Sequence, residues 1–221
     1  MARSTPPAPP PPTLVLLVRP GPTPTTGKIR PGRAAGRHLA DQGRQQADTV
    51  AERIAALQTG TRKVAAVYAS PLERTRETAA PIGRALGLRV RRLQGLLECD
   101  FGDWTGAELK ALYKKPEWRT VQRNPSGFRF PAGESFTEMQ ARICGAVDRL
   151  RAAHPGQTIV AVSHADPIKA ALAQALGTHL DLFQRIIVSP CSISAVMYGS
   201  TGPAVLAANS TGDDLSRLGL S

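Results

Sequence analysis

The chain has 221 residues, of which 42% are hydrophobic and 20% are charged. These proportions are typical of a globular protein and exclude a disordered or fibrous one. Lysine and arginine exceed aspartate and glutamate by 28 − 17 = 11, and arginine supplies 22 of those 28 cations. Nucleic-acid binders cluster such charges among aromatic side chains, whereas aromatic residues make up only 5% of this chain. The composition therefore favours a pocket for a small anion over a nucleic-acid surface.

The sequence shows no signal for a membrane or for secretion. Its apolar runs are far shorter than the roughly 20 residues of a membrane-spanning helix, and Arg3 is followed by prolines instead of an apolar signal core. The three cysteines are too scattered for a disulfide framework or a Cys-x-x-Cys site. No carboxylate or histidine pair stands at metal-ligand spacing. We therefore predict a cytoplasmic protein without a metal or other cofactor.

Strand and helix patterns alternate along the chain after a proline-rich start. Residues 1–13 predict a disordered tail, and residues 14–214 predict a single domain. Helix N-caps are expected at Asp41 and Ser70. The alternation predicts an α/β fold, a three-layer α/β/α sandwich with a mostly parallel central sheet. Strands are predicted at 14–18, 64–69, 88–93, 158–162, 186–188, 192–198 and 204–207, and helices at 42–57, from 71 to about 87, from 136 to about 150 and from about 167.

Ionisable side chains follow four of the predicted elements. Ligands of largely parallel sheets bind beyond the carboxyl ends of the strands. Free backbone N–H groups and the positive ends of helix dipoles there favour a phosphate, especially beside arginine. Residues 99–133 interrupt the alternation and predict an insertion or lid over the same edge. The four segments are 18–21 with Arg19, 70–78 with Arg74, 97–104 with Glu98 and 162–166 with His164.

These four segments, in this order, resemble the histidine phosphatase superfamily, which is also called the phosphoglycerate mutase-like superfamily. The resemblance extends from residue 14 to about residue 214 and implies the fold of that superfamily. Residues 70–78, 98–106 and 177–187 resemble an actinobacterial phosphomutase-like branch within it.

The resemblance implies a role for each residue that it matches. Two arginines would hold a phosphoryl group, a glutamate would donate a proton to the leaving group, and a second histidine would lie beside the phosphate. The implied ligand is a small anionic molecule, either a phosphate ester or a carboxylate. The implied residues are Glu98 and His164 for catalysis, and Arg19, Arg74, Gly21 and Arg33 for binding the anion.

Residue 20 departs from the family pattern. Pro20 stands where members of the superfamily have the histidine that becomes phosphorylated. Proline has no side-chain heteroatom and no backbone N–H, so it cannot attack phosphorus. Loss of a covalent nucleophile can slow an enzyme by about a millionfold. The resemblance therefore excludes a phosphohistidine route unless another group takes over.

Three functions remain open from the sequence. The favoured one is a repurposed enzyme, for example of a biosynthetic pathway, that uses Glu98 and His164 as acid and base without a covalent intermediate. The first alternative is a catalytically inactive protein that binds a phosphorylated ligand or acts as a scaffold. The second alternative is a residual phosphatase or phosphomutase with a substitute nucleophile. We prefer the enzyme because a binding protein has little need of a proton donor that faces its ligand.

Overall fold

A six-stranded sheet crosses the middle of the protein. The structure is a computed structural model that describes residues 11–59, 63–212 and 215. Its strands are β1 (Thr13–Val18), β2 (Val64–Ala69), β3 (Val90–Arg92), β4 (Thr158–Val162), β5 (Ile193–Gly199) and β6 (Gly202–Ser210). They are arranged in the order β3-β2-β4-β1-β5-β6. The first four run parallel, β5 is antiparallel to β1, and β6 is antiparallel to β5. The predicted mostly parallel sheet is confirmed.

Helices cover both faces of this sheet. The side chains of β1 show why, because alternate residues of a strand point to opposite faces. Leu14 and Leu16 pack with α1 and α2 in one core, whereas Val15 and Leu17 pack with α5 and α6 in the other. All four are at most 1% exposed, so a continuous apolar run is what this strand needs. The helices are α1 (Asp41–Ala56), α2 (Glu73–Leu86), α3 (Leu109–Leu112), α4 (Trp118–Arg123), α5 (Phe136–Ala153) and α6 (Ala165–Ala175).

The predicted strands at 64–69 and 158–162 coincide with β2 and β4. The strand predicted at 186–188 is wrong, because these residues form no ladder and the side chain of Ile187 is 63% exposed. Their apolar character resembles that of a strand, but residues 186–188 pair with no strand of the described sheet, and the carbonyl oxygen of Val188 accepts a hydrogen bond from Arg19 instead. They form part of the connection from α6 to β5 instead.

Both predicted N-caps are wrong. Asp41 is the first residue of α1, and the cap position belongs to Ala40. The helix α2 begins at Glu73, three residues after Ser70, whose hydroxyl is hydrogen-bonded to His164 instead of capping the helix. Of the predicted tail, residues 1–10 lie outside the described residues, and Thr13 already pairs in β1.

Two glycines meet where the loop after β1 crosses α1. A Cβ atom on Gly21 would lie 2.6 Å from the carbonyl oxygen of Gly43 and 2.9 Å from its Cα. Because this obstacle is backbone, no rotamer change relieves it, and we expect Gly21→Ala to destabilise the fold by about 1–3 kcal/mol. The control is Gly145→Ala within α5, where the nearest atom is the tip of Arg149 at 3.5 Å and alanine favours a helix. Urea unfolding measures both variants, and equal stability of Gly21→Ala and the wild type would contradict this packing.

Candidate active site

A cavity of about 290 Å³ lies at the carboxyl ends of β1 and β4. Arg19 follows β1 directly, Arg74 is the second residue of α2, and Glu98 lies in the segment after β3. His164 occupies the N-cap position of α6, two residues after the end of β4. All four line this cavity. They converge although they are separated in sequence, because parallel strands end at one edge of the sheet.

The two arginines are fixed by backbone carbonyls. Arg19 donates from Nη1 to the carbonyl oxygen of Val188 at 2.5 Å, and Arg74 donates from Nη2 to that of Gly32 at 2.8 Å. The Nη1 atom of Arg74 is buried and has no hydrogen-bond partner among the described residues. Burial lowers the pKa of both guanidinium groups, and the nearby Glu98 opposes this effect. Since arginine stays protonated in proteins, these two residues bring two positive charges to the site, and Arg74 has a donor that is not yet used.

Glu98 is a buried carboxyl group that readily keeps its proton. It is 8% exposed, and its Oε1 accepts a hydrogen bond from the backbone N–H of Cys99 at 3.0 Å. Burial, followed by repulsion from Asp166, raises the pKa of Glu98 to about 7, although Arg74 acts in the opposite direction. A carboxyl group with such a pKa is partly protonated near neutral pH and can act as a general acid.

His164 is a neutral imidazole in this environment. The residue is 1% exposed, and its Nε2 lies 2.9 Å from the hydroxyl of Ser70. Burial lowers its pKa well below the usual value, and the charges of Arg74 and other arginines lower it further. A neutral histidine can accept a proton from a ligand or hydrogen-bond to it.

Three further charged residues line the cavity that the sequence analysis did not single out. Arg30 Nη2 lies 2.8 Å from Asp166 Oδ2, and Lys169 Nζ lies 3.7 Å from Asp166 Oδ1. The guanidinium of Arg30 also packs 3.9 Å from the centre of the Phe101 ring. Asp166 and Lys169 are one helical turn apart just after His164, and this spacing indicates an ion pair from the sequence alone. The sequence around Arg30 gives no such indication, because its partner Asp166 is 136 residues away.

The charges of the cavity favour an anion. Four cationic side chains and two carboxyl groups line it, so the balance is 4 − 2 = +2 when both carboxyl groups are ionised. Burial in a concave site strengthens such a field. The charged lining consists of Arg19, Arg30, Arg74, Lys169, Glu98 and Asp166.

Of the two other residues that the resemblance implies for anion binding, Gly21 lines the cavity and Arg33 does not. Gly21 lines the cavity, but its N–H donates to the hydroxyl of Thr78 at 3.1 Å. Arg33 is absent from the cavity lining, and its guanidinium contacts the carboxylates of Asp100 and Glu134 instead. In the structure the guanidinium of Arg33 is thus engaged by two carboxylates and does not line the cavity.

Pro20 borders the cavity at the end of β1. The predicted insertion at 99–133 contributes Phe101 and Leu109 to the lining, and its remaining aromatic residues pack together. Trp104, for example, lies 5.4 Å from Phe130 between ring centres. One part of the insertion thus borders the ligand space, and another part belongs to the core.

Neither a metal cluster nor a membrane span is found in the part of the chain that the structure describes. Across residues 11–59, 63–212 and 215, no three side chains of His, Cys, Asp or Glu are grouped closely enough to hold a metal ion. Among the same residues, no helix has the length and hydropathy to cross a membrane.

Relatives of the chain are known from sequence and from structure. A bifunctional protein of Mycobacterium tuberculosis is 32% identical over 203 residues, which are 91% of this chain and 55% of that protein. The chain thus spans about half the length of this relative. Phosphoserine phosphatase 1 of Hydrogenobacter thermophilus is 30% identical over 175 residues, which are 78% of this chain and 81% of that enzyme.

A solved structure shares the fold. It is a phosphoserine phosphatase of Entamoeba histolytica in which a histidine is replaced by alanine and phosphoserine is bound. Its TM-score is 0.77 at 26% identity, and the match covers 90% of this chain and 98% of that one. The sequence profile of the histidine phosphatase superfamily (branch 1) matches residues 15–211. With a profile match over most of its length and relatives that agree in sequence and fold, the chain belongs to branch 1 of the histidine phosphatase superfamily.

Proposed function

We propose that the cavity binds a small phosphorylated or carboxylated molecule and catalyses a proton-transfer reaction on it without a phosphohistidine intermediate. One observation carries this proposal. A buried carboxyl group, Glu98, has a pKa of about 7 and shares the cavity with two fixed arginines, Arg19 and Arg74. A proton donor beside two cations suits a reaction in which negative charge develops on the ligand.

The residue at position 20 supports a reaction without a covalent intermediate. Pro20 borders the cavity at the end of β1, and the family resemblance aligns it with the nucleophilic histidine. The Entamoeba relative binds phosphoserine although one of its histidines is replaced by alanine. By analogy, the loss of a histidine from such a site is compatible with retained binding of a phosphorylated ligand.

The remaining groups define the chemistry that is available. The anion would lie against Arg19 and against the unpartnered Nη1 of Arg74. Protonated Glu98 would donate its proton to the ligand, while neutral His164 would accept one from it. The arginines would stabilise the negative charge of the transition state. Isomerisation, elimination, cyclisation and water-mediated hydrolysis are all compatible with this combination of groups.

The second candidate is a ligand-binding protein without turnover. The spare donor of Arg74 favours it, because anion binding alone would satisfy this buried atom. The two candidates differ in the role of Glu98. If the protein is an enzyme, Glu98→Gln abolishes turnover. If it is a binding protein, there is no turnover to lose, and the same variant leaves the ligand affinity nearly unchanged.

Hydrolysis of a generic phosphate ester tests the proposed mechanism. We expect the protein to hydrolyse para-nitrophenyl phosphate at a rate about a millionfold below that of an enzyme with its nucleophile in place. The Hydrogenobacter phosphoserine phosphatase is the positive control, because it is a relative of similar length. Acid-labile phosphate on a histidine of the wild-type protein, trapped during rapid metal-independent hydrolysis, would refute the proposal and restore the phosphatase alternative.

A further inference from the structure

The segment that carries Glu98 is held by side chains instead of by a strand ladder. It follows β3 and lies outside the sheet. Arg142, from α5, donates from Nη1 to the carbonyl oxygens of Gly95 at 3.0 Å and Leu97 at 2.8 Å. Its Nη2 donates to the carbonyl oxygen of Glu98 at 3.3 Å. One guanidinium group thus fixes three backbone carbonyls of this segment.

Two further side chains complete the set. Arg33 donates from Nε to the carbonyl oxygen of Glu98 at 2.9 Å. The hydroxyl of Ser163 donates to the carbonyl oxygen of Leu96 at 2.8 Å. Each of the four consecutive carbonyls of residues 95–98 therefore accepts a hydrogen bond from a side chain. Buried backbone carbonyls need hydrogen-bond donors. In a sheet the neighbouring strand supplies them, whereas here side chains from other parts of the chain do.

Glu134 joins the two arginines. Its carboxylate binds Arg142 through Nε at 2.8 Å and Nη2 at 2.9 Å, and it binds Arg33 through Nη2 at 3.1 Å. The same carboxylate accepts the backbone N–H of Asp100 at 3.2 Å. Glu134 precedes the N-cap Ser135, whose capping box with Glu138 fixes the start of α5. A two-pronged arginine–carboxylate pair has a narrow range of geometries, so the position of Glu98 is tied to α5.

We propose that Arg142 and Arg33, joined by Glu134, are positioning residues that hold the Glu98 carboxyl group in the cavity. None of the three lines the cavity, so they act on the backbone of Glu98 and have no contact with the ligand space. That Glu98 is the proton donor rests on the proposed function. The positioning itself does not, because it concerns the place of the carboxyl group and can be measured without any ligand.

The titration of Glu98 reports its position. Its pKa is raised by burial and by the Asp166 carboxylate, and both effects depend on where the carboxyl group lies. If the backbone of Glu98 loosens, water reaches the carboxyl group and the pKa falls toward the usual value. The other charged and titratable groups of the cavity lie on four elements: Arg19 after β1, Arg30 in the following loop, Arg74 of α2, and His164, Asp166 and Lys169 at the start of α6.

The experiment is a carboxyl NMR titration of the full chain with ¹³C-labelled glutamate, in which Glu98→Gln assigns the signal. Arg142→Lys keeps the charge but cannot form the two-pronged pair with Glu134. We expect the Glu98 midpoint to fall by about one pH unit or more in this variant. The matched control is Arg149→Lys, an exposed residue of the same helix, for which the midpoint stays unchanged.

An unchanged midpoint in folded Arg142→Lys protein, with the near-UV circular dichroism of the wild type, would overturn the proposal. If Arg142→Lys does not fold, Arg33→Lys decides by the same criterion, because Arg33 is 30% exposed and lies in a loop. A purely structural role would lower the melting temperature in either variant without moving the midpoint. Failure of the proposed function would show separately, as absent phosphate binding with an intact titration of Glu98.

Discussion

The double variant Arg19→Ala, Arg74→Ala is expected to bind inorganic phosphate about a hundredfold to ten-thousandfold more weakly than the wild type. A hydrogen bond to a charged group contributes about 1.5–3 kcal/mol, and every 1.4 kcal/mol is about tenfold in affinity. Both side chains line the cavity and are held by backbone carbonyls, so they are ordered before the anion arrives. Isothermal titration calorimetry at constant ionic strength measures the loss.

The control must remove the same charge elsewhere. Arg89 and Arg92 are exposed and lie at or beside the edge strand β3, away from the cavity. Their double replacement by alanine changes the net charge equally, and salt screens such distant charges. We expect phosphate affinity to stay within about threefold of the wild type in this control. Equal affinity in the Arg19, Arg74 variant and the wild type would mean that the anion binds elsewhere.

Glu98→Gln is expected to make the protein more stable at pH 8, by up to about 4 kcal/mol. Burial raises the pKa of Glu98 to about 7 in the folded protein, while the unfolded chain has a pKa near the usual value of about 4.3. Below that value both states hold the proton, so the group imposes no penalty on folding. As the pH rises toward 7, the unfolded chain releases its proton first and stability is lost. Glutamine removes this penalty because it cannot ionise.

The measurement is thermal unfolding of both proteins at pH 5 and pH 8. A domain of this size shifts by about 2–4 °C for each kcal/mol, so the melting temperature of the variant should exceed that of the wild type by up to about 8–16 °C at pH 8. The difference should shrink at pH 5. Glu52→Gln, on the exposed side of α1, is the control and should change little at either pH. A wild-type protein as stable as Glu98→Gln at pH 8 would show that Glu98 ionises without cost in the fold.

The order of elements and the location of the site could be predicted from the sequence. The apolar run at 14–18 indicates a strand buried on both faces, and β1 has that environment. Arg19 directly follows β1, and His164 lies two residues after the end of β4. Because parallel strands end at one edge, residues beside strand ends are brought together by topology alone.

The partners of loop side chains were decided by the tertiary structure alone. Arg33 was predicted beside the anion, yet it lies in an ion pair with Glu134, which is 101 residues away. Arg30 lines the cavity and is paired there with Asp166, although no local sequence pattern indicates this contact. The segment at 186–188 has the composition of a strand but pairs with none of the described strands. Local patterns report which face of an element is buried, whereas contacts between distant segments depend on how the whole chain closes around its core.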